Sequence, residues 1–127
     1  MRIMHTMLRS TDLVASLDFY CNALKMKVLR REEFPEGKFS LVYVGYGDEI
    51  TGTVLELTYN WGVSNYEIGN GYGHLAIGAR DIQGLCDNVA QLGYKVVRSP
   101  GPMKLAPSLK IAFIADPDGF VIELIEE

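Results

Sequence analysis

The sequence predicts an α+β fold made of two βαβββ modules, and three observations lead there. The chain opens twice in the same way, with His5-Thr6-Met7-Leu8 and with His74-Leu75-Ala76-Ile77, and an Asp (Asp12, Asp81) follows seven residues after each His. Each half closes on a near-identical tetrad, Val54-Leu55-Glu56-Leu57 and Val121-Ile122-Glu123-Leu124. Between opening and closing, the apolar pattern of each half passes once through a helical period and then alternates as strands do.

Taken in order, residues 1–8 read as a strand. From about 12 to 24, Leu13, Leu17, Tyr20 and Leu24 mark one helical face, with Asp12 placed to accept from the free N–H groups of the first turn. Strands follow near 25–32, 39–45 and 53–59. Trp61 to Gly73 contains four glycines and reads as a connecting loop. The second half repeats the order. It has a strand at 74–79 and a helix at 81–92 with Ile82, Leu85, Cys86, Val89 and Leu92 inward. Strands near 94–98, 109–115 and 121–126 complete it. Asp116-Pro117-Asp118-Gly119 is a turn before the last strand, since Asp and Gly supply the side-chain acceptor and the positive φ that turns use. No linker composition separates the halves. The expected organisation is therefore a single domain over 1–127: module one at about 1–60, a loop at about 61–73 and module two at about 74–127.

Bulk properties narrow the function. With 48 % hydrophobic and 22 % charged residues the chain can bury an ordinary core. A net charge of -4 without a basic stripe argues against nucleic acid. Neither a signal peptide nor a membrane-spanning run is expected, so cytoplasm is the expected compartment. Cys21 and Cys86 both fall in helical segments and read as small apolar residues in a reducing environment rather than a disulfide.

The repeat singles out His5, Glu56, His74 and Glu123. The step from His to Glu is 51 residues in the first half and 49 in the second. Glu123 stands between Ile122 and Leu124, and its face of the strand also carries Val121 and Ile125. A carboxylate in such a place is costly unless something compensates its charge, and a divalent cation does so. A lone strand Glu ordinarily points to solvent and a lone His is ordinarily a satisfied structural group. However, the only two histidines open the two modules at equivalent places. Two imidazoles and two carboxylates form a borderline nitrogen and oxygen donor set, suited to octahedral Ni²⁺, Co²⁺, Zn²⁺ or Mn²⁺. Four protein ligands leave two open positions, as a catalytic site requires.

With those residues stands a longer series: His5-Thr6-Met7-Leu8-Arg9, Val44-Gly45-Tyr46-Gly47, Leu55-Glu56-Leu57-Thr58-Tyr59-Asn60-Trp61-Gly62, Tyr72-Gly73-His74, and Asp116-Pro117-Asp118-Gly119 through Ile122-Glu123-Leu124. Along essentially its whole length the chain resembles the glyoxalase I family of the vicinal oxygen chelate superfamily, in its compact bacterial form. The resemblance implies the glyoxalase/bleomycin-resistance-like fold. It also implies isomerisation of the glutathione–methylglyoxal hemithioacetal to S-lactoylglutathione through a cis-enediolate, with one divalent metal per site, Ni²⁺ before Co²⁺, Zn²⁺ or Mn²⁺. The family's metal ligands fall on His5, Glu56, His74 and Glu123. Glu123 and Glu56 are then the candidate catalytic bases, Glu123 first. Arg9 and Asn60 take the family's glutathione-binding places.

Arg9 also fits by spacing, sharing the face of His5 about 13 Å further along at roughly 3.3 Å per residue. The plain alternatives are a solvated strand-end charge for Arg9 and a turn residue for Asn60. Lys104 resembles a residue of a loop that closes over substrate, but Leu105-Ala106-Pro107-Ser108 departs from the family's small glycines and Thr. Other readings are a different activity of the superfamily, such as an acyl-CoA epimerase or thiol transferase, and a metal-free drug-binding module.

Assembly follows from the modules. A βαβββ unit covers one sheet face with its helix and leaves the other concave, so two sheets must meet to close a cavity. The expectation is a homodimer in which sheets of the two chains close an eight-stranded, barrel-like cavity, the competing arrangement being closure of both modules within one monomer. Each active site is then shared between subunits.

Overall fold

The computed structural model describes residues 1–127. It separates into two compact units, Met1–Glu67 and Ile68–Glu127. The first contains β1 (His5–Arg9), α1 (Leu13–Leu17), β2 (Lys27–Phe34), β3 (Phe39–Gly45) and β4 (Val54–Asn60). The second contains β5 (Leu75–Ala79), α2 (Ile82–Gln91), β6 (Lys95–Met103), β7 (Ala106–Ala115) and β8 (Val121–Glu126). Each is therefore βαβββ, as the repeat predicts.

The sheets share one topology, β1-β4-β3-β2 and β5-β8-β7-β6. In each, the first strand lies parallel to the last, and the remaining pairs are antiparallel. A crossover of this kind places the opening His beside the closing Glu, although some 50 residues separate them in sequence. No helix is long and apolar enough to cross a membrane.

Alternation sorts the side chains. In the first unit Leu8, Val42, Val44, Leu55 and Leu57 are buried with Phe19, Tyr20 and Leu24 of the helical segment. In the second, Ile77, Ala112, Ile114, Ile122 and Leu124 are buried with Ile82, Cys86 and Val89 of α2. Both cores use the helix-facing side of the sheet and leave the other side to polar and mixed residues.

The helices start where the sequence predicts. Asp12 Oδ1 accepts from the N–H groups of Val14 (2.9 Å) and Ala15 (3.2 Å). Asp81 Oδ1 accepts from Gly84 N–H (2.8 Å). Two inward faces differ from expectation. After five residues α1 widens into a π-type turn over Asp18–Ala23, closed by Leu24 N–H donating to Phe19 O (3.1 Å). Phe19 in this turn is fully buried and Leu17 only half-buried, while Tyr20 and Leu24 are inward as expected. Ser16 is buried as well, its hydroxyl paired with that of Ser10 (2.7 Å). In the second unit, Leu92 lies at the helix end and is 40 % exposed rather than inward.

β6 and β7 outrun their expected limits. Pro100, Gly101 and Pro102 argue for a break after Arg98, yet β6 continues to Met103. It is an edge strand, where a residue without an N–H costs no ladder bond if that side faces outward. Lys104 and Leu105 form a two-residue turn into β7 in place of a longer loop.

Candidate metal centre

β1 and β4 place His5 and Glu56 on the sheet face away from the helix, with His5 Nε2 3.0 Å from Glu56 Oε2. In the second unit His74, one residue before β5, does the same with Glu123 of β8: Nε2 to Oε2 is 3.1 Å. The carboxylates are well covered, their side chains 13 % and 15 % exposed, while the imidazoles are 35 % and 43 % exposed. The repeat thus yields two near-identical His–Glu pairs, one per unit. Neither pair gathers a third His, Cys, Asp or Glu around it.

Each pair brings one nitrogen and one oxygen donor together on an open sheet face. Such a borderline donor set suits divalent ions of the Ni²⁺, Co²⁺, Zn²⁺ and Mn²⁺ class. Within the structure itself each imidazole nitrogen lies directly against a carboxylate oxygen.

The surroundings of the two carboxylates differ. Glu56 Oε2 also accepts from the Tyr43 hydroxyl (2.9 Å) and Oε1 from the Thr58 hydroxyl (2.9 Å). Tyr43 stands directly opposite Glu56 on β3, and its ring meets that of His5 edge-on at 5.7 Å. Burial, then the neighbouring Glu56 carboxylate, pushes the Tyr43 phenol up and keeps it a donor. The place opposite Glu123 on β7 is held by Phe113, which meets His74 edge-on at 5.5 Å. Ile125 stands two residues after Glu123, where Thr58 follows Glu56. Glu123 therefore has His74 as its side-chain partner and apolar groups elsewhere. The sequence reading missed Tyr43. The signal was available in the alignment of the two halves, which sets an oxygen-bearing ring against a plain one.

Arg9 closes β1, with its guanidinium carbon 5.9 Å from the Tyr66 ring centroid. Asn60 closes β4 and donates its amide to the Tyr66 hydroxyl (2.9 Å). The two candidate thiol-recognition residues are thus brought to one aromatic ring from the connecting loop, and Tyr66 too was missed. Lys104 is exposed at the tip of the β6–β7 turn. Trp61 donates its indole N–H to the Ser40 hydroxyl (2.9 Å) and is 39 % exposed. Cys21 and Cys86 are free, and burial raises both thiols, which disfavours the reactive thiolate.

Paired βαβββ sheets, each with a His–Glu pair on its open face, define a class. The model of the Glyoxalase/Bleomycin resistance protein/Dioxygenase superfamily matches residues 2–124. A lactoylglutathione lyase of Neisseria meningitidis is 53 % identical over 127 residues, covering 100 % of this chain and 91 % of that one. Glyoxalase I from Zea mays superposes with a TM-score of 0.95 at 40 % identity, over 99 % of this chain but only 44 % of that longer one. The trypanothione-dependent glyoxalase I of Leishmania major gives a TM-score of 0.89 at 42 % identity, covering 100 % of this chain and 87 % of that one. The chain belongs to the glyoxalase I family of this superfamily.

Proposed function

We propose that the protein is a lactoylglutathione lyase that removes methylglyoxal by converting its glutathione hemithioacetal to S-lactoylglutathione. The observation that carries this reading is the pair of equivalent His–Glu contacts, 3.0 and 3.1 Å, in a chain half identical to lactoylglutathione lyases over its whole length. His5, Glu56, His74 and Glu123 hold one divalent ion, with Ni²⁺ preferred over Co²⁺, Zn²⁺ or Mn²⁺. When bound, that ion supplies Lewis acidity toward the two oxygens of the substrate.

The protein's own groups do the rest. Glu123, with one polar partner, is the base: its carboxylate takes the proton from C1 of the hemithioacetal and returns it to C2 of the resulting cis-enediolate. No electrons leave the substrate and no organic cofactor is consumed. Glu56, held by Tyr43 and Thr58, stays in place as a ligand. Arg9 and Asn60 bind the carboxylates of glutathione, Arg9 through the paired N–H groups that suit a carboxylate. Lys104, exposed in the turn between β6 and β7, is the further candidate for contact with the substrate.

In this reading the two units are modules of one domain, and the protein works in the cytoplasm. Each unit supplies two ligands, so four require one unit of each kind. A homodimer that matches the first unit of one subunit with the second unit of its partner meets that count twice.

The test is an ultraviolet assay of thioester formation from methylglyoxal and glutathione, using apo protein reloaded with Ni²⁺, Co²⁺ or Zn²⁺. Turnover that depends on the added ion is expected. No thioester with any of the three overturns the assignment.

A further inference from the structure

The two halves repeat more than their ligands. In each, a register shift in the edge strand, between Val28 and Arg30 and between Val96 and Arg98, sets an arginine opposite an aromatic ring. That ring in turn stands opposite the glutamate, giving Arg30–Tyr43–Glu56 in the first unit and Arg98–Phe113–Glu123 in the second. The scaffold is the same, but the chemistry is not.

In the first unit the Arg30 guanidinium carbon sits 3.9 Å from the centroid of the Tyr43 ring. Arg30 is itself tied down by Glu49, through Nε (3.1 Å) and Nη2 (2.9 Å), and by Glu32. A cation over the ring face holds the ring while its hydroxyl donates to Glu56. In the second unit Arg98 turns away and donates from Nη2 to Pro102 O (2.7 Å), and Phe113 has no hydroxyl to give.

We propose that Tyr43 is a positioning residue of the metal centre, orienting the Glu56 carboxylate so that Oε2 faces His5. This rests on the metal-dependent reading above. The hydroxyl donates to the same oxygen that lies 3.0 Å from His5 Nε2, and Thr58 fixes the other oxygen. With both oxygens held, the rotamer needed for metal binding is set before the ion arrives. Partners of this kind typically change metal affinity 10–100-fold. They also hold both oxygens of Glu56 in place, which separates its role from that of Glu123.

The experiment is chelator competition for Co²⁺ and Ni²⁺, each added alone, with the Co²⁺ absorption spectrum recorded on the same samples. Tyr43→Phe gives the first unit the ring of the second. The expected result is an affinity loss of at least about 10-fold, a changed Co²⁺ spectrum, an unchanged unfolding midpoint of the apo protein, and a lower kcat at constant KM. Thr58→Val removes the donor to Oε1 and is expected to lose less. Tyr43→Phe that binds both ions like the wild type, or a larger loss in Thr58→Val, overturns the role of Tyr43. Wild-type protein that binds neither ion overturns the metal-dependent reading instead, and this proposal with it.

Discussion

The two halves make the same His–Glu contact and surround it differently. The first half crowds its pair: Tyr43 and Thr58 bond Glu56, and the face of β1 continues from His5 through Met7 to Arg9. The second half surrounds its pair with apolar groups: Phe113 and Ile125 flank Glu123, and the equivalent places after His74 are the small Ala76 and Gly78, with the Glu127 carboxylate over Gly78. A duplicated module needs the same ligands twice but only one base and one recognition element. Divergence around a fixed pair accords with the division of work in the proposed function, in which the first half anchors and recognises and the second leaves a carboxylate free to move a proton.

The largest effect that tests this division is on the two glutamates. Glu123→Gln should lower kcat by about 10²–10⁴ through loss of the base. Glu56→Gln should weaken metal binding and activity together, with turnover partly restored at saturating Ni²⁺. Steady-state kinetics across a nickel titration separate the two patterns, and identical patterns would erase the proposed difference between the halves. Arg9→Ala comes next. It should raise KM for the hemithioacetal by the equivalent of about 1.5–3 kcal/mol and leave metal content unchanged. An unaltered KM returns Arg9 to a strand-end charge lying against Tyr66.

The smallest effect lies at the helix ends. The first half places Lys25 at φ 62° where the second uses Gly93 at φ 86°. A side chain in that left-handed conformation costs about 1 kcal/mol, which glycine avoids. Lys25→Gly is expected to raise stability by about 0.5–1 kcal/mol, and Gly93→Lys to lower it by about as much, in denaturant titrations of each variant. No difference between them would mean that the two helix ends are not equivalent.

Much of this was legible in the sequence because the chain states its pattern twice. His5 and His74, Asp12 and Asp81, and Glu56 and Glu123 could be aligned with each other, which located strands, helix starts and the two His–Glu pairs together. What escaped depends on interactions that period alone does not encode. The π-type turn at Asp18–Ala23 was not foreseen, because helical periodicity assumes 3.6 residues per turn, and the burial of Phe19 beside Tyr20 went with it. The extension of β6 past Pro100 depends on its being an edge strand, which is a property of the sheet. Tyr43 read as one more apolar strand residue, since its role arises from cross-strand register with Glu56, 13 residues away. Tyr66 lies in the segment read simply as a loop, and only the fold brings it to both Arg9 and Asn60.

The central claim is that the two His–Glu pairs serve one ion rather than two. Equilibrium titration of metal-free protein with Ni²⁺, followed by bound metal per chain, measures this directly for the wild type, His5→Ala and His74→Ala. One tightly bound ion per chain is expected, lost to the same extent in either variant. Two ions per chain, with each variant losing only its own, would contradict it.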